Sequence, residues 1–401
     1  MTEIAADPSG AQPPLKGVRV IELTTMITGP LAGMMLGDLG ADVVKIENPQ
    51  GGDPFRSFRG GLYSPHFCGY NRNKRSVTLD LRSDEGRDAL ARLVESADML
   101  LENFRPGVLD RLGFDDARLA ALNPRLIHCH ISGFGPDGPY VDRPAYDAVS
   151  QALSGMASLF LEADEPRVSG PTIADNVTGQ YACYGMLAAL YERERSGKGR
   201  RVDVNMLDAS IAFMPDPYGY FTQMGLVSDP HLRARTSQSY AFRCADKKLL
   251  MVHLSSQAKF WEQFVAVIGC PELAADPLLA TRELRIEHYE HLRVRAGEII
   301  ARQPREHWLA EFAKRDVPFA PVYDVTEVFD DPQVTYLDTF VKLTHPSMGD
   351  VMSIRRPVRF DGSRADQPQS APPMLGEHTQ SVLHEIGMDT PQTARAKSQD
   401  R

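Results

Sequence analysis

The sequence predicts an α/β protein: a Rossmann-like, doubly wound parallel sheet in a large domain, plus a smaller α+β domain. Three observations carry this reading. A strand–helix–strand pattern opens the chain between Val18 and Glu47. The pattern recurs as far as about residue 214, and beyond residue 240 it gives way to a strand pair followed by helices.

The first unit is Val18–Leu23 as a buried strand, a helix opened by Gly29-Pro30 and stopped by Gly40, and Ala41–Glu47 as the second strand. Ser76–Arg82 reads as a further strand. A helix from Ser83 to Glu95 with Ser83 as N-cap follows, then the strand Ala97–Glu102. A short helix Asp115–Leu122 leads to the strand Leu126–Ile131. The helix after Asp175 ends near Ser196-Gly197-Lys198-Gly199. A strand at Val202–Met206 and a helix at Leu207–Met214 complete the repeat. Pro215, Pro217, Gly219, Gly225 and Pro230 make 216–239 an irregular linker. The small domain, 240–325, holds strands Ser239–Cys244 and Lys248–His253 and helices at Ala258–Gly269, Arg282–Arg302 and Arg305–Asp316. Segment 326–388 returns to complete the large domain begun at 15–215, through strands near Phe340–Leu343 and Val351–Ile354 and a last helix at His378–Ile386. Residues 1–14 and 389–401 are polar and read as flexible tails.

Composition narrows the function. A net charge of −9 disfavours partnership with nucleic acid or an anionic membrane, and no apolar run approaches the length of a membrane span. Five cysteines, an odd number with no C-x-x-C pair, fit reduced thiols in the cytoplasm. The start of the chain lacks the apolar segment of a secretory signal.

Several motifs resolve into bland readings. Gly133-Phe134-Gly135-Pro136-Asp137-Gly138 fits G-x-G-x-x-G after a strand, but Pro136 and Pro139 prevent a helix from starting there. It reads as a glycine-rich loop lining a site rather than a dinucleotide fingerprint. Ser196-Gly197-Lys198-Gly199 is a turn, since Glu192 stands where a P-loop needs its first glycine. His128 and His130 share one face of a strand with no third ligand in view, so no metal site is expected. Arg72-Asn73-Lys74-Arg75, leading into a strand of an acidic protein, is a candidate anion site.

Two features point to chemistry. Asp175 follows an apolar, proline-containing approach and opens a long helix rich in small residues. An Asp there is an N-cap by default, but the end dipole also holds a carboxylate ionised, and an ionised, partly desolvated carboxylate can attack a thioester. Glu102-Asn103-Phe104-Arg105 starts at a strand end, where open α/β sheets bind ligands. Asn103, Arg105 and Arg111 can grip phosphates or an adenine edge, with Phe104 as a stacking face.

GVRVIELTTMITGPLAGMMLGDLGADVVKIE from Gly17, NRNKRSVTLDL from Asn71, ENFRPGVLDRLGF from Glu102, RPAYDAVSQALSG from Arg143 and LGEHT from Leu375 stand in this order in the chain. Together they resemble the family III acyl-CoA transferases of the CaiB/BaiF group, a family that also contains the α-methylacyl-CoA racemases. The resemblance covers about residues 15 to 388. It implies an interlocked homodimer, each chain threaded through a ring in its partner, with segments near 215–240 and 320–340 suited to the threading. It implies coenzyme A or acyl-CoA as substrate, a carboxylic acid as second partner, and no permanently bound cofactor. By position, Asp175 matches the family's catalytic aspartate. The CoA grip matches Ile27, Thr28, Leu79 to Arg82, Asn103, Phe104, Arg105, Arg111 and Tyr146, with Asp147 beside it. Asn48 stands where some members carry a CoA-contacting Arg, so Arg56 or Arg59 is expected to substitute. Ile27 replaces the Gln of formyl-CoA transferases, and no glycine run lies between 215 and 270. Both departures point away from formyl/oxalate specificity.

The activity implied is transfer of CoA from an acyl-CoA to a free acid through a covalent aspartyl anhydride and thioester at Asp175. Racemisation or isomerisation at Cα is the alternative enzyme. It needs two acid/base groups, and Tyr146-Asp147 replaces the His-Asp of that branch. A non-catalytic CoA-binding homologue is the alternative outside catalysis. Arg233, Arg235 or Arg243 is a candidate partner for the second carboxylate of a dicarboxylic substrate.

Overall fold

The computed structural model describes residues 12–59, 61–255 and 257–388. Most of the N-terminal arm and all of the C-terminal tail read from the sequence lie outside them.

Six parallel strands form the main sheet: β1 (Arg19–Leu23), β2 (Asp42–Glu47), β3 (Lys74–Thr78), β4 (Met99–Glu102), β5 (Ile127–Ser132) and β6 (Arg201–Asn205). Their order is β3-β2-β1-β4-β5-β6, so the direction of winding reverses between β1 and β4. Alternate residues point to opposite faces. Val20, Val43, Met99 and Ile127 pack on one face with Ala32 and Leu36 of the Thr28–Asp38 helix and Ala182, Cys183 and Met186 of the Ile173–Ser196 helix. Ile21, Val44, Val77 and Leu100 pack on the other with Leu90, Leu93 and Val94 of the Asp84–Glu95 helix and with Val382 near the C-terminus. Burial on both faces explains why these strands read as continuous apolar runs.

By contacts the chain divides into two units. The first holds this sheet and, from Thr339 onward, an antiparallel pair, β10 (Phe340–His345) and β11 (Gly349–Ile354). The second takes in 158–168 and 216–338. It contains the antiparallel sheet β7 (Ser239–Arg243), β8 (Leu249–His253) and β9 (Phe319–Val322), covered by helices around Phe264, Leu292 and Phe312. The stretch read as an irregular linker is largely helical, at Pro215–Met224 and Leu232–Thr236. Pro215 and Pro217 sit in a first helical turn, whose N–H groups have no intrahelical acceptor to lose, so neither breaks the helix. No described helix is long and apolar enough to cross a membrane.

The basic run Arg72–Arg75 is not an anion site. Arg72 pairs with Asp38, Lys74 with Glu22 (2.9 Å), and Arg75 with Asp42 and Glu385, both at 2.5 Å. Lys74 belongs to a fully enclosed group in which Lys45 meets Glu22 and Asp53 (3.0 Å each) and Arg56 meets Glu47 (2.7 Å). Three acids and three bases balance there, which is the condition for burying them.

Candidate active site

Parallel strands present their following loops at one edge of the sheet, and loops that diverge at the point of reversal leave a crevice. Here those are the loops after β1 and β4. Asn103, just past β4, braces them: its Oδ1 accepts from the Thr25 N–H (3.0 Å), and its Nδ2 donates to Thr25 O (2.9 Å) and Thr28 Oγ1 (3.2 Å). From the other side, Asp53 Oδ1 accepts the N–H of Met26 (3.1 Å), a residue held at φ +68°. A left-handed non-glycine residue persists only where its surroundings over-determine it.

The crevice is a cleft of about 430 Å³. Ile27, Thr28, Asn103, Phe104, Arg105, Tyr146 and Asp175 all line it. A second hollow of about 270 Å³ is lined by Asn48, Leu79 and Arg82, and Thr25 and Phe104 face both. The structure thus brings ten of the twelve sequence-predicted positions, Asn103 among them, to one edge of the sheet. Arg111 is exposed and lines neither hollow. Arg56 cannot replace a CoA-contacting Arg at position 48. It is buried, grips both oxygens of Glu47 and lies 3.6 Å over the Phe67 ring.

Asp175 is the third residue of the Ile173–Ser196 helix, and the N-cap is Thr172. Asp147 lies behind it: its Oδ1 accepts the Asp175 N–H (3.2 Å) and its Oδ2 accepts from Gln151 Nε2 (2.6 Å). This N–H is therefore already engaged and is no free oxyanion donor. Burial works against the helix end, which is expected to hold the Asp175 carboxylate ionised. Burial first, and the neighbouring Asp147 charge second, raise its carboxyl to about 7.

The loop after β5 forms the outer wall. A Cβ on Gly133 would lie 2.3 Å from Ala145 Cβ, so only glycine lets the loop fold back this closely. No helix follows the G-x-G-x-x-G stretch until Asp147, consistent with the loop reading. The fold-back brings Phe134, Val141 and Arg143 into the cleft. The reading of single motifs missed Arg143, although it opens the quoted RPAYDAVSQALSG segment. His128 and His130 turn towards Glu102, and no group of three metal-ligating side chains occurs among the described residues.

A family model described as CoA-transferase family III matches residues 15–379. The chain is similar to an acetyl-CoA:oxalate CoA-transferase of Acetobacter aceti, 36% identical over 398 residues, covering 96% of this chain and 98% of that one. It is similar to a succinate–glutarate CoA-transferase of Agrobacterium fabrum, 33% identical, covering 95% and 97%. Among solved structures, a CaiB/BaiF family protein from Brucella suis superposes with a TM-score of 0.84 at 33% identity, covering 94% of this chain and all of that one.

Proposed function

The chain belongs to CoA-transferase family III and is an acyl-CoA:carboxylate CoA-transferase, and on that premise we propose that Asp175 carries the transfer as a covalent nucleophile. One observation supports this above others. Asp175 is a poorly solvated carboxyl, raised to about 7, in a cleft at the reversal of a parallel sheet.

In this reading the acyl-CoA lies along the two hollows, with its thioester at Asp175. An Asp175 oxygen attacks the thioester carbonyl, the C–S bond breaks, and a mixed aspartyl anhydride and CoA thiolate form. The thiolate attacks the aspartyl carbonyl, releasing the donor acid and leaving an aspartyl-CoA thioester. The acceptor carboxylate attacks that thioester to give a second anhydride and thiolate. Thiolate attack on the acceptor carbonyl then yields the new acyl-CoA and restores Asp175. One thioester replaces another, so no external energy source is needed. Asn103 and Asp53 fix the Thr25–Thr28 wall, and Arg105 meets phosphate or carboxylate charge. Asn48, Leu79 and Arg82 line the part of the path away from the thioester. Tyr146, exposed at the mouth, orients the incoming group.

The test is to incubate the enzyme with an acyl-CoA, quench in acid and map peptides by mass spectrometry. The Asp175 peptide is expected to carry CoA or acyl mass. Asp175→Ala should lose turnover while keeping CoA affinity within a few-fold, and a fully active Asp175→Ala enzyme overturns the assignment. We further propose that the active species is an interlocked homodimer working in the cytoplasm. An exposed row of tyrosines on the Ile173–Ser196 helix supports the dimer.

A further inference from the structure

The cleft around Asp175 has an unusual charge. The chain carries a net −9, yet the charged side chains lining this cleft are one acid, Asp175, and two bases, Arg105 and Arg143. Neither arginine has a carboxylate partner within ion-pair distance among the described residues. Other arginines near the sheet are committed: Arg201 to Asp116 (2.8 Å) and Asp203 (3.0 Å), Arg193 to Asp98 (2.8 Å). Two guanidiniums against one carboxylate leave the lining with a surplus of positive charge, which suits a ligand with more than one negative group.

Arg105 is one of the positions matched to the CoA grip, which leaves Arg143 unassigned. Its place is set by structure. Gly133 permits the fold-back against Ala145, and Gly135 (φ +107°) and Gly138 (φ +92°) make the turns that no side-chain-bearing residue adopts readily. The guanidinium lies 3.8 Å over the Tyr140 ring. Stacking fixes its plane but leaves its edge N–H groups available for a forked pair with a carboxylate.

We propose that Arg143 is a specificity-determining residue that binds the distal carboxylate of a dicarboxylic acceptor, whose proximal carboxylate reacts at the Asp175 thioester. The proposal rests on the transferase reading and adds the acceptor class to it. It also moves this role away from Arg233, Arg235 and Arg243, of which Arg235 is held by Asp229 at 2.8 Å.

The experiment measures kcat/KM for length-matched acids with one acyl-CoA donor: succinate against propionate, and glutarate against butyrate. The wild-type enzyme should prefer the diacid of a pair. Arg143→Gln should shrink that preference by about tenfold or more, chiefly through KM for the diacid, and Arg143→Lys should retain part of it. Melting curves establish that both variants are folded, and the wild-type ratio stands as a test should one not be. An unchanged ratio in Arg143→Gln, or a loss confined to KM for the acyl-CoA, overturns the proposal. The second result makes Arg143 a phosphate contact. A wild-type enzyme that uses monoacids as well as diacids defeats this inference and leaves the transferase reading intact. Transfer to no acid at all defeats both.

Discussion

A carboxyl that must act as a nucleophile gains reactivity from poor solvation, yet loses availability if its proton affinity rises too far. Asp175 stands at that balance, raised to about 7 by burial and then by Asp147. In the proposed mechanism only the ionised form of Asp175 attacks, so kcat/KM should climb as pH rises through about 7. Asp147→Asn keeps an oxygen for the Asp175 N–H but removes the neighbouring charge. The rising limb should then move to lower pH by up to about one unit, not further, because burial is the larger cause. The sign for stability is opposite. The folded state holds this proton more tightly than the unfolded chain, so stability falls between about pH 4 and pH 7 and the loss is complete above. Asp175→Asn, which resembles the protonated acid, should therefore melt higher than wild type at pH 8, on the order of a few degrees, with little difference at pH 4. A pH–rate profile of Asp147→Asn that matches wild type rules out the charge coupling. Little of this was legible beforehand. Asp175 is legible as a helix opener, but its shift depends on burial first and then on Asp147, 28 positions away.

At the scale of elements, the position of Asp175 depends on how two helices meet. A Cβ on Gly179 would lie 2.5 Å from the Thr28 carbonyl oxygen and 3.1 Å from Leu31. Gly179 is one turn beyond Asp175, on the same side of the helix. Gly179→Ala must push the helix off the start of the Thr28–Asp38 helix, and backbone cannot yield as a side-chain tip can. The expected cost is about 1–3 kcal/mol in stability. A displacement near 1 Å at Asp175 should lower kcat by about 100-fold. Gly219, inside the Pro215–Met224 helix, has open space where its Cβ would go, and Gly219→Ala should be neutral or stabilising by up to about 1 kcal/mol. Denaturation midpoints and single-turnover rates for the two variants check this, and equal behaviour excludes the packing argument. The small residues of the long helix are visible in the sequence, and so are the strands of the sheet, since their apolar runs follow from burial on both faces. The Pro215–Met224 helix is hidden because Pro and Gly signal breaks in general, whereas a first turn tolerates the two prolines and Gly219 is a single interior glycine. The Arg72–Arg75 run misleads for a related reason: charge implies exposure until partners such as Asp38 and Glu22 are supplied by other elements.

At the scale of the whole molecule, exposed apolar side chains on one helix support the proposed dimer. Tyr181, Tyr184 and Tyr191 form a stripe along one side of the Ile173–Ser196 helix, the last two 70% and 69% exposed. A further groove of about 840 Å³ runs beside the same helix, lined by Leu31, Met34, Leu187, Met352 and Val358. Exposed apolar side chains of this kind suit an interface, and a second copy is the partner that the family resemblance implies. An interlocked pair differs from an ordinary dimer in kinetics rather than in contacts. Two threaded chains separate only when one of them unfolds, so subunit exchange must wait for unfolding. Light scattering should therefore give twice the chain mass at all accessible concentrations. Differently labelled dimers, mixed under native conditions and followed by native mass spectrometry, should stay unmixed for days, then scramble to a 1:2:1 distribution after denaturation and refolding. A monomeric mass argues against any dimer. Exchange within minutes leaves a dimer but removes the threading, because no knot-like link can open on that time scale while both folds persist.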